Sequence, residues 1–307
     1  HNSMMIFGDF DHVDLVDGLD AIAFDNYPIG QLEESPFTGE LRERWLRTGH
    51  PDLVSLSHDL YRGLKDQPHW IMEQQPGQVN WAPNNALPAD GAVRLWTLQG
   101  FAHGAEMVSW FRYRAAVGAQ ETNHAGLLRH DGTPDVAYHE AKVVASEVGT
   151  PQQRDVREAI ATVGSASERA RVAILVDYED LWATEIQPHA KGFHYWAQMF
   201  AFYAPLRGLD VYVDVVPKKH VARGTRSLEG YDLVITPAMQ LVDDVITGRL
   251  EAYVEQGGHL LAGPRTGART VTGMAHEPAP GPLRHLLGAR VARVDSLRMG
   301  IERSITW

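Results

Sequence analysis

Short apolar runs alternate with helix-length amphipathic stretches along most of this chain, and that alternation restricts it to parallel β/α architectures. Residues 21–24, Ala-Ile-Ala-Phe, read as a buried strand ending at Asp25-Asn26-Tyr27-Pro28. Residues 70–72 form a second strand that runs into Glu73-Gln74-Gln75-Pro76-Gly77, and residues 107–111 form a third. Asn2-Ser3-Met4-Met5 is expected to be the remains of a fourth. Between them, residues 51–64, 93–102 and 134–148 carry apolar positions at helical spacing, with Asp52 placed to cap the first. A polar stretch over residues 150–168 interrupts the pattern. It resumes with strands expected at 171–177, 210–213, 233–236 and 259–262, and helices at 193–204 and 245–256, the latter closed by Gly257-Gly258.

A chain of 307 residues suits two domains better than one. The second pattern reads as a doubly wound, flavodoxin-like domain. The first poses a counting problem, because a (β/α)8 barrel needs eight strands in roughly 250 residues and about half that number precede the polar stretch. It is either a smaller open α/β domain or the C-terminal half of a barrel. The chain opens on His1 and stops in a polar run at 299–307, and neither end reads as a natural terminus.

Composition removes several classes of chemistry. A formal net charge of −11 argues against nucleic-acid or anionic-membrane partners, which attract clustered Lys and Arg. The absence of cysteine excludes disulfides, a thiolate nucleophile and Cys-based zinc sites. No apolar run approaches the roughly 18–20 residues that span a bilayer. No cofactor or metal site is expected, since no three candidate ligands converge.

Ligands of parallel β/α folds bind at the C-terminal ends of the strands, which singles out Glu73 directly after an apolar run. Asn80-Trp81 follow on the same loop, Tyr27 closes the preceding strand, and Gln120-Glu121-Thr122-Asn123-His124 follow the next. Carboxylates, amides and aromatic rings together suit a sugar, whose hydroxyls need acceptors and whose C–H face needs a ring. Each residue also has a plainer account: a capping or ion-paired carboxylate for Glu73, packing for Trp81, and a solvated turn for Glu121 and His124 at i and i+3. The glycine-rich segments Gly257-Gly258-His259 and Gly263-Pro264-Arg265-Thr266-Gly267 match no phosphate loop and read as turns. Ser55, Ser57 and His58 share a helix with no nucleophile elbow around them, so they read as one helix face.

The segment Met72-Glu73-Gln74-Gln75-Pro76-Gly77-Gln78-Val79-Asn80-Trp81-Ala82-Pro83 resembles the nucleophile segment of glycoside hydrolase family 42 β-galactosidases. Val93-Arg94-Leu95-Trp96-Thr97, Ala102-His103-Gly104-Ala105, Phe111-Arg112-Tyr113-Arg114 and His124-Ala125-Gly126-Leu127-Leu128 resemble the following family segments in order. Asp9-Phe10-Asp11-His12 and Asp25-Asn26-Tyr27-Pro28 also fit. The resemblance implies that residues 1–150 are the C-terminal half, about the last four strands, of a (β/α)8 catalytic barrel. Residues 151–169 are then a linker, and residues 170–290 an α/β trimerisation domain related in fold to class I glutamine amidotransferases. Residues 291–307 begin a further segment.

The resemblance further implies retaining hydrolysis of terminal non-reducing β-D-galactose, with Glu73 as nucleophile, Tyr27, Trp81, Glu121 and His124 around the sugar, and a cytoplasmic homotrimer as the full-length assembly. The family's Asn-Glu pair, whose glutamate is the general acid/base, does not occur in these residues. The chain alone is therefore expected to be inactive on ordinary galactosides. The alternative is a non-catalytic carbohydrate-binding or assembly module. The aromatic stretch 193–203 is expected either to meet a neighbouring subunit or to pack on its own sheet.

Overall fold

The computed structural model describes residues 8–148 and 170–298, with 301 and 304. Contacts divide the chain into two compact units, His1–Ala170 and Arg171–Trp307. The expected strand at residues 2–5 and the expected linker lie outside the described residues.

In the first unit, strands β1 (Ala23–Asn26), β2 (His69–Gln74) and β3 (Ala105–Trp110) pair in parallel in that order. Helices α1 (His12–Val16), α2 (Pro28–Glu34), α3 (Gly39–Trp45), α4 (Pro51–Lys65), α5 (Ala92–Ala102) and α6 (Val136–Val148) surround them. Phe24, fully buried, stacks on Tyr61 of α4 with ring centroids 4.3 Å apart, which holds β1 against that helix. Trp96 of α5 packs with Ile29, Val93 and Ala137, and its Nε1 donates to the Thr48 carbonyl at 2.8 Å. Glu140 of α6 accepts from the backbone N–H groups of Gly91 and Arg94 at 2.7 and 2.9 Å, so one helix supplies the anionic cap of another.

Two local expectations change. The N-cap of α4 is His50, whose ring accepts from Asp52 N at 3.2 Å, because Pro51 occupies the first helical position and pushes Asp52 into the first turn. Strand β2 extends through Gln74, so Glu73 lies inside the strand rather than after it. Irregular register between Phe24 and Asp25 and between Ile71 and Gln74 accompanies that extension, and Asp25 comes to pair with Glu73.

The second unit contains strands β4 (Val172–Val176), β5 (Val213–Pro217), β6 (Leu233–Thr236) and β7 (His259–Ala262), all parallel in the order β5-β4-β6-β7. Every residue of β4 is buried, as a central strand covered on both faces requires. Helices α7 (Tyr178–Ile186), α8 (Tyr195–Gly208), α9 (Lys218–Arg223), α10 (Asp244–Glu255) and the short α11 (Arg284–Leu287) complete it. Strand β5 begins at Val213 where residues 210–213 were expected. The displacement follows from α8 continuing past Ala204 to Gly208, after which Asp210 takes a left-handed turn with φ 57°. Tyr195, Met199 and Tyr203 of α8 are buried. Residues 291–298 contain no helix or strand beyond a bridge between Ala279 and Val291. Among the described residues no helix is long and apolar enough to cross a membrane.

Candidate active site

The C-terminal ends of β1, β2 and β3 bring the expected residues together around Tyr27. Its hydroxyl donates to Glu73 Oε2 at 2.6 Å. Trp81 and His124 each present a ring edge-on to it, with centroids 5.6 and 5.8 Å away. Burial, the hydrogen bond to Glu73 and the charges of Glu73, Asp25 and Glu121 hold the phenol far above its ordinary range, so it remains a donor. Three carboxylates, from β1, β2 and the loop after β3, therefore bear on one hydroxyl.

The loops behind these side chains are tied together by neutral amides. Asn26 Nδ2 donates to Gln74 Oε1 at 2.9 Å across β1 and β2, and both residues are fully buried. Gln75 accepts from Ile29 N at 3.0 Å and donates to the Gly77 carbonyl at 2.7 Å, fixing the loop after β2 to the first turn of α2. Pro28 starts that helix, its missing N–H costing nothing at the first position. The loop after β3 is fastened in turn: Ala125 N donates to the Gln78 carbonyl, and Asn80 Nδ2 to the Gln120 carbonyl. Sequence reasoning missed Asn26, Gln74 and Gln75 as supports, although all three stand in the quoted segments.

Trp81 remains 41 % exposed, yet it lies over Gly30, where an added Cβ would sit 2.4 Å from the indole ring. Only glycine permits that approach. Glu121 accepts from Arg112 at 2.8 Å and begins the turn closed by the bond from His124 N to the Glu121 carbonyl. His124 is almost fully buried; its Nδ1 donates to the Ala125 carbonyl at 3.0 Å, which leaves Nε2 as the acceptor nitrogen without a hydrogen-bond partner. Gathered beyond the strand ends are thus a carboxylate held by a phenol, a half-exposed indole, an arginine-held carboxylate and a buried imidazole. Such a set fits the hydroxyls and the apolar face of a pyranose.

Residues 1–150 match glycoside hydrolase family 42, described as beta-galactosidase, and residues 170–307 match the beta-galactosidase trimerisation domain. The chain belongs to glycoside hydrolase family 42. It is similar to a beta-galactosidase of Thermus thermophilus, at 44 % identity over 98 % of this chain and 44 % of that protein. Solved structures agree. The beta-galactosidase of the psychrophilic Marinomonas ef1 superposes with a TM-score of 0.87 at 42 % identity, covering 96 % of this chain and 44 % of that one. The beta-galactosidase of the Antarctic haloarchaeon Halorubrum lacusprofundi gives 0.85 at 41 % identity, covering 96 % and 42 %. This family 42 chain thus spans less than half the length of the curated relatives it matches.

The serine–histidine helix face has a structural role. Ser57 Oγ donates to the Leu53 carbonyl, Ser55 Oγ accepts from Gln99, and His58 Nδ1 lies 3.0 Å from His69 Nε2.

Proposed function

We propose that this chain supplies the nucleophile half of a retaining β-galactosidase, with Glu73 as nucleophile and Tyr27, Trp81, Glu121 and His124 as the galactose subsite. The observation that carries the reading is the 2.6 Å bond from Tyr27 to Glu73 at the paired ends of parallel strands, in a chain of this family. The relatives' description as beta-galactosidases supports the substrate class. In this reading Glu73 attacks the anomeric carbon as the bond to the aglycone breaks, and water later releases the sugar with overall retention. Tyr27 fixes the attacking carboxylate, Trp81 lies against the sugar's C–H face, and Glu121 and His124 Nε2 accept from its hydroxyls.

Retention needs a second, protonated carboxyl about 5–5.5 Å from the nucleophile. With no Asn-Glu pair among these residues, that group comes from outside the sequence given. Residues 1–150 then form the C-terminal half of the barrel, and residues 170–290 the trimerisation domain of a cytoplasmic homotrimer. The missing pair also favours a second reading, a carbohydrate-binding or assembly module without catalysis.

Side-by-side assays with lactose and with a dinitrophenyl β-galactoside separate the two. The glycosidase reading expects no lactose turnover and slow dinitrophenolate release, abolished by Glu73→Gln. Lactose hydrolysis by the purified chain overturns the assignment of a missing acid/base. Galactose binding without dinitrophenolate release supports the module.

A further inference from the structure

Asp25 stands beside the proposed nucleophile without a role in the reading above. It is the register partner of Glu73 across the parallel pair β1–β2, at the point where both strands lose regular register. That irregularity sets two acidic side chains at adjacent positions on neighbouring strand ends. The charges of Asp25, Glu73 and Glu121 all act on the Tyr27 phenol, which stays protonated; Glu121, from the loop after β3, is paired with Arg112, and His124 lies against the same phenol ring. Two carboxyl groups so placed cannot both ionise cheaply in a half-buried site.

We propose that Asp25 is a positioning residue for the reaction, sharing one negative charge with Glu73: it holds a proton while Glu73 is free and releases it when Glu73 becomes a glycosyl ester. The inference rests on Glu73 being the nucleophile. Its balance is as follows. Attack by the Glu73 carboxylate forms the C–O bond as the leaving group departs with its electron pair, and the ester is neutral. Repulsion on Asp25 then vanishes and its proton passes to solvent. When water cleaves the ester, the proton liberated with the restored Glu73 carboxylate returns to Asp25. Burial and the neighbouring Glu73 charge push the Asp25 carboxyl up to about 7, the direction this cycle needs. Ionised Asp25 also favours conversion of Glu73 to the neutral ester and the cationic character of the transition state.

The test needs no turnover. In the 307-residue chain labelled with carboxyl-13C aspartate, the signal absent from Asp25→Asn should titrate near neutrality and move down in Glu73→Gln, while staying above the ordinary aspartate value because its burial persists. Titration in the ordinary range, or a position unmoved by Glu73→Gln, overturns the proposal. A second readout uses 2-fluoro galactosyl fluoride, which consumes no proton on leaving. Adduct formation should speed up between pH 6 and pH 8 in the native chain and stay flat in Asp25→Asn, with far-UV circular dichroism confirming that both variants fold. Identical pH profiles overturn the charge-sharing role. Absence of any adduct counts against the nucleophile reading, and the titration still decides the pairing.

Discussion

Tyr27 stands between the nucleophile candidate and the rest of the subsite, and its hydroxyl bond to Glu73 joins a neutral donor to a charged acceptor. Such bonds contribute about 1.5–3 kcal/mol. Tyr27→Phe should therefore slow adduct formation with an activated 2-fluoro galactoside by roughly 10- to 100-fold, followed by intact-mass time courses, while the fold persists. A neighbouring position acts through shape. Gly30→Val places carbon inside the Trp81 ring envelope, so the indole must move, and galactose affinity measured by tryptophan fluorescence should fall about tenfold. Glu73 and Tyr27 were singled out in the sequence as chemically distinctive side chains next to apolar runs, and Trp81 as an aromatic ring on the loop that follows. Asn26, Gln74 and Gln75 were not. They are uncharged, follow no period, and find partners 46 to 48 residues away that only strand pairing brings near. Asp25 was read only as the end of a strand, since its meaning depends on the register with Glu73.

Strands and helices supply the acid sensitivity of the first unit. His58 on α4 and His69 at the start of β2 are fully buried against each other; burial holds His58 well below its ordinary range and His69 down to about 3. Both are neutral in the folded chain, whereas the unfolded chain protonates them near pH 6.5. The stability they allow is complete above that value and declines as pH falls toward the folded values, by about 1.4 kcal/mol per pH unit for each histidine. The urea midpoint of the first unit should drop between pH 7.5 and pH 5, with a shallower slope in His69→Gln. In the second unit, Lys218 at the start of α9 is nearly buried and lies 2.5 Å from Asp177 and 2.8 Å from Asp180 while donating to the Leu241 carbonyl. It joins the ends of β4, α7 and the segment after β6. Lys218→Met leaves two buried carboxyl groups without their cation and should destabilise this unit by roughly 3–5 kcal/mol, read from its denaturation midpoint. The strands and the longest helices were legible from periodicity, whereas the shorter helices α1, α2, α3, α7 and α9 and the element boundaries were not. The turn at Asp210 and the histidine cap of α4 follow from backbone geometry that neither hydropathy nor spacing encodes.

At the scale of the molecule, two parallel β/α units share one chain, and each matches its own part of family 42. The fully buried, apolar β4 made the second unit easy to anticipate, because a strand covered on both faces announces itself as a continuous apolar run. The first unit was harder to place, since counting strands left a smaller open α/β domain and half a barrel as alternatives, and the half barrel is the proposal that the ordered family segments support. The central claim is that Glu73 attacks the sugar. It is tested most directly by incubating the chain with a 2-fluoro galactoside bearing an activated leaving group, digesting it, and locating any adduct by tandem mass spectrometry. The account predicts one 2-fluorogalactosyl group on Glu73, absent from Glu73→Gln. An adduct on another carboxylate, or one that survives in Glu73→Gln, would contradict it.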